Sequence, residues 1–497
     1  MKNLPSKIMI TYFCALSGIF PLFFTNYYYN IQLSKSLFFM IITGISFLGI
    51  MVTQKRSPIA VLHSCVKSPA QLSVLLFGLS VSISAILSAY GHSAFTGENG
   101  RYIGAYMLMS MCICFLLFSQ HYVELKPFYA VIPAAGVIVA LLGILQFIQI
   151  DVLGFTKHIP EQLTGTYLST IGNINVFSNY ISIIAAFCVG VYCLTSKKSL
   201  LLCFFISDVA LFPANSDGGL LAVLAVIVLC PLFSPAREKA FLYLSEQLLV
   251  FSAACIVGKI ISQFAITPYV GLPARFTSPG FFIPALFGTA LMYLYFRYRT
   301  LSPANYAFCR KVYICFIILS ASAAILLFAA VILNILSIPA LQLSDQWGSG
   351  RGYIWKKALD LWYTAPLLQK LFGYGPDTLK LLLLETSYHE MLSATGKIFD
   401  SAHNSVLHYL ITTGACGALS WSACLLSVLI TSIKSKKATV FPWLMAFLAY
   451  LIQTMIMPDQ PITTPLAFMI AGICIGITSS HCHPIEKSKV FRQGAHK

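Results

Sequence analysis

The sequence predicts an all-α polytopic membrane protein with about 12–14 transmembrane helices and a large helical extracytoplasmic loop. Hydrophobic residues make up 58% of the 497 residues and charged residues only 10%, whereas soluble domains contain about 25% charged residues. The mean hydropathy is +0.80. Apolar stretches long enough to cross a bilayer recur along the chain, and one long polar stretch interrupts them.

About fourteen apolar stretches are candidate spans of roughly 20 residues each. They begin near Ile8, Ser36, Ala70, Tyr102, Phe128, Ile174, Ser199, Gly218, Ala240, Gly280, Lys311, Asn404, Phe441 and Pro461. The seventh is the shortest. We expect a transmembrane bundle of about eleven spans at 1–338, an extracytoplasmic amphipathic helical loop at 339–402, C-terminal transmembrane helices at 403–480 and a basic cytoplasmic tail at 481–497.

The net charge of +16 is explained by the orientation of the chain in the membrane rather than by nucleic-acid binding. Basic residues fall in every second connection, and by the positive-inside rule these connections are cytoplasmic. They include Lys2, Lys55, Arg56, Lys126, Arg237, Lys436 and the C-terminal tail. Both termini are therefore expected in the cytoplasm, and the long polar stretch is expected outside the membrane.

The long polar stretch is expected to form a helical cap over the membrane domain. Between Arg351 and Leu371, apolar residues recur at helical spacing in a stripe and predict an amphipathic helix, which Pro366 breaks. A second helix is expected from Asp377 to Glu385. The stripe consists of Ile354, Trp355, Ala358, Leu359 and Trp362. Tryptophans in such a stripe are typical of a segment at the level of the lipid headgroups. The run from there to Asp400 is polar.

Arg351 and His403, at the two ends of this stretch, are the candidate chemical groups. A planar guanidinium donates two hydrogen bonds to phosphate at once, and the glycines around Arg351 would allow close approach to a lipid diphosphate. The alternative for Arg351 is an anchor to headgroups. His403 enters a predicted span, with Asp400 or Ser401 as the expected N-cap. The positive end of that helix disfavours a protonated imidazole, so His403 is a candidate base, and a satisfied polar residue is the alternative.

Other residues are weaker candidates. Asn404 and His408 lie four apart on one helix face beside His403. Arg275 and Arg101 are external arginines that could hold phosphate or anchor the interface. Asn173 and Asn175 could donate hydrogen bonds to sugar or phosphate, although helix capping accounts for part of this cluster. Metal motifs are missing, since Ser393 stands where His-Glu-x-x-His needs its second histidine, and no metal or other cofactor is expected.

Two regions together resemble the O-antigen ligase and polymerase superfamily. The first contains Arg351-Gly-Tyr-Ile-Trp355, Phe372-Gly-Tyr-Gly-Pro376 and Ala402-His403-Asn404, and the second is Gly172-Asn-Ile-Asn175. The resemblance implies a GT-C-like, metal-independent glycosyltransferase that moves a glycan from undecaprenyl diphosphate to an acceptor hydroxyl with inversion. Arg351 matches the phosphate-binding arginine of the family, and His403 matches its proposed base. One departure is Asp217, which stands where many members have arginine.

The resemblance leaves the acceptor open. A ligase would use a lipid or cell-wall acceptor, and a polymerase would join lipid-linked repeat units. The expected partners are the undecaprenyl-diphosphate-linked donor, a glycan, lipid or cell-wall acceptor, and membrane lipids, with no nucleic acid. The expected location is the bacterial cytoplasmic membrane with an extracytoplasmic active site. A flippase or transporter for a lipid-linked sugar is a second class, but a cap with Arg351 and His403 at its ends favours the enzyme.

Overall fold

The computed structural model describes residues 4–54, 67–123, 127–160, 163–264, 267–299, 302–333 and 344–479, together with 335, 336, 338 and 342. The predictions for Lys2, Lys55, Arg56, Lys126 and the tail at 481–497 lie outside the described residues. Within the described ranges the chain is helical except for one two-stranded antiparallel sheet. The all-α class predicted from composition is confirmed.

The elements follow the order of the predicted spans. They are α1 Leu4–Cys14, α2 Ile31–Gln54, α3 Pro69–Leu87, α4 His92–Thr96, α5 Ala105–His121, α6 Phe128–Phe147, β1 Tyr167–Leu168, β2 Gly172–Asn173, α7 Ile174–Thr195, α8 Ser199–Leu211, α9 Asp217–Phe233, α10 Ala240–Ile261, α11 Gly271–Phe276, α12 Pro279–Tyr298, α13 Pro303–Ile332, α14 Trp347–Thr364, α15 Leu367–Phe372, α16 Leu379–Thr386, α17 Tyr388–Thr395, α18 Ser405–Thr412, α19 Gly414–Lys434, α20 Phe441–Thr454 and α21 Thr464–Thr478.

The predicted spans are all helical in the described part of the chain. Eight helical segments are long and apolar enough to cross a membrane, and six shorter apolar helices accompany them. Together they match the predicted stretches one for one. The short seventh stretch is α8, which ends at Leu211. The chain is thus a multi-pass membrane protein.

Helix α7 forms the centre of the bundle and is buried along its length. It packs against α8, α9 and α20. A side chain at Gly190 would overlap the backbone of Pro442, so this glycine lets α7 and α20 approach closely. At the periphery, α12 has no buried residue. A helix that exposes apolar side chains in this way is typical of contact with lipid.

The cap, residues 344–404, has a hydrophobic core of its own. Its buried members come from α14, α16, α17, the segment before α18 and α18 itself, and they are Tyr353, Ile354, Ala358, Leu361, Leu379, Leu382, Leu383, Met391, Phe399, Ala402 and Ile411. Pro366 separates α14 from α15 as predicted. The second predicted helix is α16, and the polar run after it contains α17, which the sequence reading did not predict.

Most of the apolar stripe of α14 packs into or against this core. The indole nitrogen of Trp355 donates to the carbonyl of Ala402 at 3.0 Å, and that of Trp362 donates to the carbonyl of Lys370 at 3.1 Å. Leu359, predicted to belong to the stripe, is 49% exposed. The polar atoms of these two tryptophans are therefore satisfied by cap carbonyls.

The predicted span from Asn404 is two helices, because backbone contacts interrupt it near Gly414. The amides of Tyr374 and Gly375 donate to the carbonyls of Ile411 and Thr412 at 3.0 and 2.9 Å. A side chain at Gly373 would overlap the backbone at Thr412. The glycines of the Phe372-Gly-Tyr-Gly-Pro376 motif therefore allow two backbones to meet where the cap joins the bundle.

Candidate active site

The segments predicted to lie outside the membrane meet at one end of the bundle. Each touches at least one other, although they lie far apart in sequence. The contacts join Arg101 to Asp377 and Asp459, Asn404 to Met455, Asn215 to Pro268, and Gly165 to Thr267. The candidate residues Arg351, His403, Asp400, Arg101, Asn404 and His408 all lie at this end. Arg275 lies there too, on α11.

Arg351 begins the regular part of α14 and is half-buried. Its Nη1 donates to the carbonyl of Gly348 at 3.1 Å, and its Nε has no hydrogen-bond partner among the described residues. Burial lowers the pKa of Arg351, and the negative charge of Asp217 acts in the opposite direction. A partly desolvated guanidinium with an unused donor is suited to binding an anion.

The glycines beside Arg351 serve packing rather than the flexible approach that we predicted. Gly348, Ser349 and Gly350 have φ values of 59, 63 and 98°, so a left-handed turn precedes the arginine. A Cβ at Gly350 would lie 2.6 Å from the Phe399 ring, and one at Gly352 would overlap the backbone carbonyl of Ser344. The turn therefore fixes where the guanidinium lies.

His403 has a strained backbone, with φ +49. The residue after it is the true N-cap of α18, since Asn404 Oδ1 accepts from Leu407 N at 3.0 Å, while Asn404 Nδ2 donates to Met455 O at 3.0 Å. The prediction of Asp400 or Ser401 as N-cap is wrong. Left-handed strain in a non-glycine residue persists only when its surroundings impose it, and such positions concentrate at functional sites.

The imidazole of His403 is neutral near pH 7. Burial, together with the charges of Arg351, Arg101 and Lys397 and against the opposing effect of Asp400, lowers the pKa of His403 to about 4. The neutral state agrees with our prediction, but burial and nearby cations cause it. Because Arg351 contributes to this shift, the cation and the candidate base lie within electrostatic range of each other.

Arg101 is buried and fully paired. Its Nε lies 2.8 Å from Asp377 Oδ1, its Nη2 donates to Asp459 O at 3.2 Å, and its Nη1 lies 3.9 Å from Asp400 Oδ1. Burial acts to lower the pKa of Arg101, but Asp377 and Asp400 outweigh it and the pKa is raised. Arg101 therefore ties the loop at 97–104 to the cap and to the turn before α21.

Two acids of this cluster were missed at the level of sequence. Asp377 accepts the amides of Glu98 and Ile103 at 3.1 and 3.0 Å in addition to Arg101. Asp459 accepts the hydroxyls of Tyr409 and Tyr450, each at 2.6 Å. Their positions gave a hint, because Asp377 directly follows Pro376 and Asp459 follows Pro458.

Asp400 and His408 both interact electrostatically with His403. Partial burial acts to raise the pKa of Asp400, but Arg101, the hydroxyl of Ser401 at 2.9 Å and the two histidines outweigh it and lower the pKa. Asp400 therefore stays ionised and can stabilise an imidazolium at His403. His408 is 2% exposed, and its Nδ1 has no hydrogen-bond partner in the described part of the chain.

Asn173 and Asn175 make local contacts. Asn173 is the N-cap of α7, and its Oδ1 accepts from the amide of Asn175 at 2.9 Å. Further along α7, the Nδ2 of Asn179 donates to the hydroxyl of Thr463 at 3.4 Å. Helix capping thus explains Asn173, and α7 reaches the turn before α21 through Asn179.

Arg275 lies on α11 with an exposed side chain. The backbone before it is attached to Asp217, whose Oδ1 accepts from Leu272 N at 2.7 Å. Asp217 thus binds the backbone of the Arg275 segment and also acts on the pKa of Arg351. The acid that departs from the family pattern is engaged at the same end of the molecule.

Residues 278–422 match the family model described as O-Antigen ligase. Residues 278–422 are called the O-antigen ligase domain after the family that they resemble. The resemblance found in the motifs between Arg351 and Asn404 is therefore confirmed. No protein in a search of curated proteins matches the chain. The O-antigen ligase domain contains the whole cap with Arg351, Asp400, His403, Asn404 and His408, whereas Arg101, Asn173, Asn175, Asp217 and Arg275 lie before it in the sequence.

Proposed function

We propose that the protein is a glycosyltransferase that moves a glycan from undecaprenyl diphosphate to an acceptor hydroxyl on the extracytoplasmic face of a bacterial cytoplasmic membrane. The supporting observation is that a half-buried arginine with an unused donor and a neutral histidine lie in electrostatic contact within an O-antigen ligase domain. Basic residues fall in every second connection between spans, and this supports the assignment of the other connections, including the cap, to the extracytoplasmic face.

Arg351 binds the diphosphate of the donor in this proposal. The bond between the anomeric carbon and the phosphate oxygen breaks, and undecaprenyl diphosphate leaves with one additional negative charge. A guanidinium stabilises this developing charge more strongly than the ground state, which is the requirement for lowering the barrier. Arg351 needs little reorganisation, because the left-handed turn and Gly348 already hold it.

His403 accepts the proton of the attacking hydroxyl as the new bond to the anomeric carbon forms. Attack from the side opposite the diphosphate inverts that carbon. The pKa of about 4 in the free protein is low for a general base. Diphosphate bound at Arg351 would offset the positive charge there, so the pKa of His403 rises when the donor is present. Asp400 stabilises the imidazolium that results.

The acceptor distinguishes two forms of this reaction. We favour ligation to a lipid or cell-wall acceptor, and polymerisation of lipid-linked repeat units is the alternative. The lipid-linked intermediates in a strain that lacks the protein separate them. Loss of a ligase leaves long chains on the carrier lipid, whereas loss of a polymerase leaves single repeats.

The enzyme assignment is tested with purified protein and the lipid-linked glycan extracted from that deletion strain. Wild-type protein in detergent should form a new glycosidic bond to the acceptor fraction, and the His403→Asn variant should not. Asparagine tolerates the left-handed backbone at this position, so the variant removes the base without adding strain. Movement of lipid-linked glycan across vesicles with no new bond would instead show a transporter.

A further inference from the structure

Two side chains at the start of α9 hold the backbone of residues 268–272. Asn215 Nδ2 donates to Pro268 O at 3.3 Å, and Asn215 Oδ1 accepts from Val270 N at 2.9 Å. Asp217 Oδ1 accepts from Leu272 N at 2.7 Å. The bonds to Pro268 and Val270 hold the backbone just before α11, and the bond to Leu272 reaches the first turn of that helix. We call this arrangement the clasp.

The clasp is closely fitted. Gly271 has φ +60, and a side chain there would overlap the carboxylate of Asp217. The ring of Tyr269 packs against Phe147 and Phe212, with ring centroids 5.9 and 6.5 Å apart. The segment therefore has one defined position against α6 and the end of α8.

The clasp also connects two arginines. Asp217 acts electrostatically on Arg351 in the O-antigen ligase domain. Arg275 lies three residues after Leu272, on the short helix α11. Because α11 starts inside the clasp at Gly271, the location of Arg275 follows from the bonds that Asn215 and Asp217 make.

We propose that Asn215 and Asp217 are positioning residues that place Arg275 beside Arg351, so that each arginine binds one phosphate of the donor. The proposal rests on the proposed function and assigns its second cation. It also gives the acid at 217 a physical role. The carboxylate binds the backbone of the segment that carries the second arginine, rather than the ligand.

The test measures the Kd of undecaprenyl diphosphate and of undecaprenyl monophosphate for protein in nanodiscs. Arg275→Ala should raise the Kd for the diphosphate about tenfold, since one charge-assisted hydrogen-bonded contact is lost. It should leave the Kd for the monophosphate within about twofold, because Arg351 remains. Asn215→Ala should also raise the Kd for the diphosphate, by about three- to tenfold.

A double variant shows whether Asn215 acts by positioning Arg275 or affects diphosphate binding independently of Arg275. Residues that act through one contact are not additive, so Arg275→Ala with Asn215→Ala should match Arg275→Ala alone within about twofold. Asp217→Ala should resemble Asn215→Ala. Asp217→Asn keeps an acceptor for Leu272 N, so it should bind the diphosphate at least as tightly as wild type.

Gly271→Ala supplies a matched steric test. It should weaken diphosphate binding like Asn215→Ala, because its new side chain meets Asp217. Gly154→Ala is the control, since Gly154 has φ +71 but only Lys157 Cδ, at 4.0 Å, lies near its would-be Cβ. The control should bind as wild type does, although its backbone strain is similar.

Two patterns overturn the positioning role. One is a wild-type diphosphate Kd for Arg275→Ala, and the other is multiplication of the two single effects in the double variant. Either leaves the proposed function intact, provided that Arg351→Ala weakens both lipids. A wild-type Kd for Arg351→Ala would overturn the proposed function itself.

Discussion

Arg101 and Arg351 lie at the same end of the molecule, but their surroundings are opposite. Arg101 is 2% exposed and has carboxylate and carbonyl partners in three segments. Arg351 is half-buried, uses one donor on the neighbouring turn and leaves its Nε without a partner in the described part of the chain. One guanidinium is neutralised by the protein, and the other keeps a donor that no described residue accepts from.

The comparison shows that burial alone does not identify a binding cation. A buried and fully paired charge holds segments together, and removing one partner is costly because the other is left uncompensated. A desolvated charge with unused donors costs stability in the free protein and regains it when an anion binds. The two arginines should therefore respond to substitution in opposite ways.

The largest expected effect is on turnover at His403. His403→Asn should lower kcat about 10²–10⁴-fold, because the acceptor hydroxyl loses its general base. Its expression and thermal unfolding should stay close to those of wild type, since asparagine accepts the left-handed backbone. The measurement is the rate of glycosidic-bond formation by purified protein. A variant that keeps wild-type kcat would remove His403 from the mechanism.

The next largest effect is on stability at the Arg101 cluster. Arg101→Ala or Asp377→Ala should reduce the free energy of unfolding by about 3–5 kcal/mol, because each leaves a buried charge unpaired. The double variant Arg101→Met with Asp377→Leu should be less destabilised than either. Thermal unfolding in detergent checks this order. Single variants as stable as Arg351→Ala would show that the two arginines do not differ as described.

Arg351→Ala should change affinity rather than stability. We expect about a 10- to 100-fold weaker Kd for undecaprenyl diphosphate, since a charge-assisted phosphate contact is lost. Arg351→Lys should recover part of the affinity, because lysine keeps the charge but lacks the planar fork. The melting temperature should stay at or slightly above that of wild type. A large fall in melting temperature would place Arg351 with Arg101.

The smallest expected effect is on pH dependence. A neutral His403 is required, so kcat/KM should be maintained above its pKa and lost as the pH falls through about 4. Because the charge of Arg351 helps to lower that pKa, Arg351→Ala should move the acid limb of kcat/KM upward. In wild type the acid limb of the kcat profile should lie at higher pH than the acid limb of kcat/KM, since bound diphosphate offsets the positive charge of Arg351. An unchanged limb in Arg351→Ala would contradict the coupling.

The membrane fold could be predicted because hydropathy alone identifies the spans. The cap could be predicted only where a long apolar stripe, such as that of α14, indicates a helix. Helix α17 was missed because eight residues, Tyr388–Thr395, are too few for a clear period. Asn404 was missed as the N-cap because Asp400 and Ser401 are equally good capping residues. Tertiary contacts with Arg101 hold Asp400 outside the helix.

Arg351 and His403 could be found from local motifs, but the network around them could not. The partners of Arg101 lie 276 and 358 residues away, so no local pattern contains them. The clasp joins residues 53–55 positions apart through backbone groups, which carry no sequence signature. Pairing between distant segments decides which charge is neutralised, and the single sequence does not contain that information.

The most direct test of the account is the lipid that copurifies with two variants. His403→Asn and Arg351→Ala are expressed in the native strain and purified in mild detergent, and their bound lipids are analysed by mass spectrometry. His403→Asn should retain intact undecaprenyl-diphosphate-linked glycan, because it binds the donor and cannot transfer it, whereas Arg351→Ala should retain little. Equal amounts of intact donor on both variants would contradict the claim that Arg351 is the cation left for the ligand.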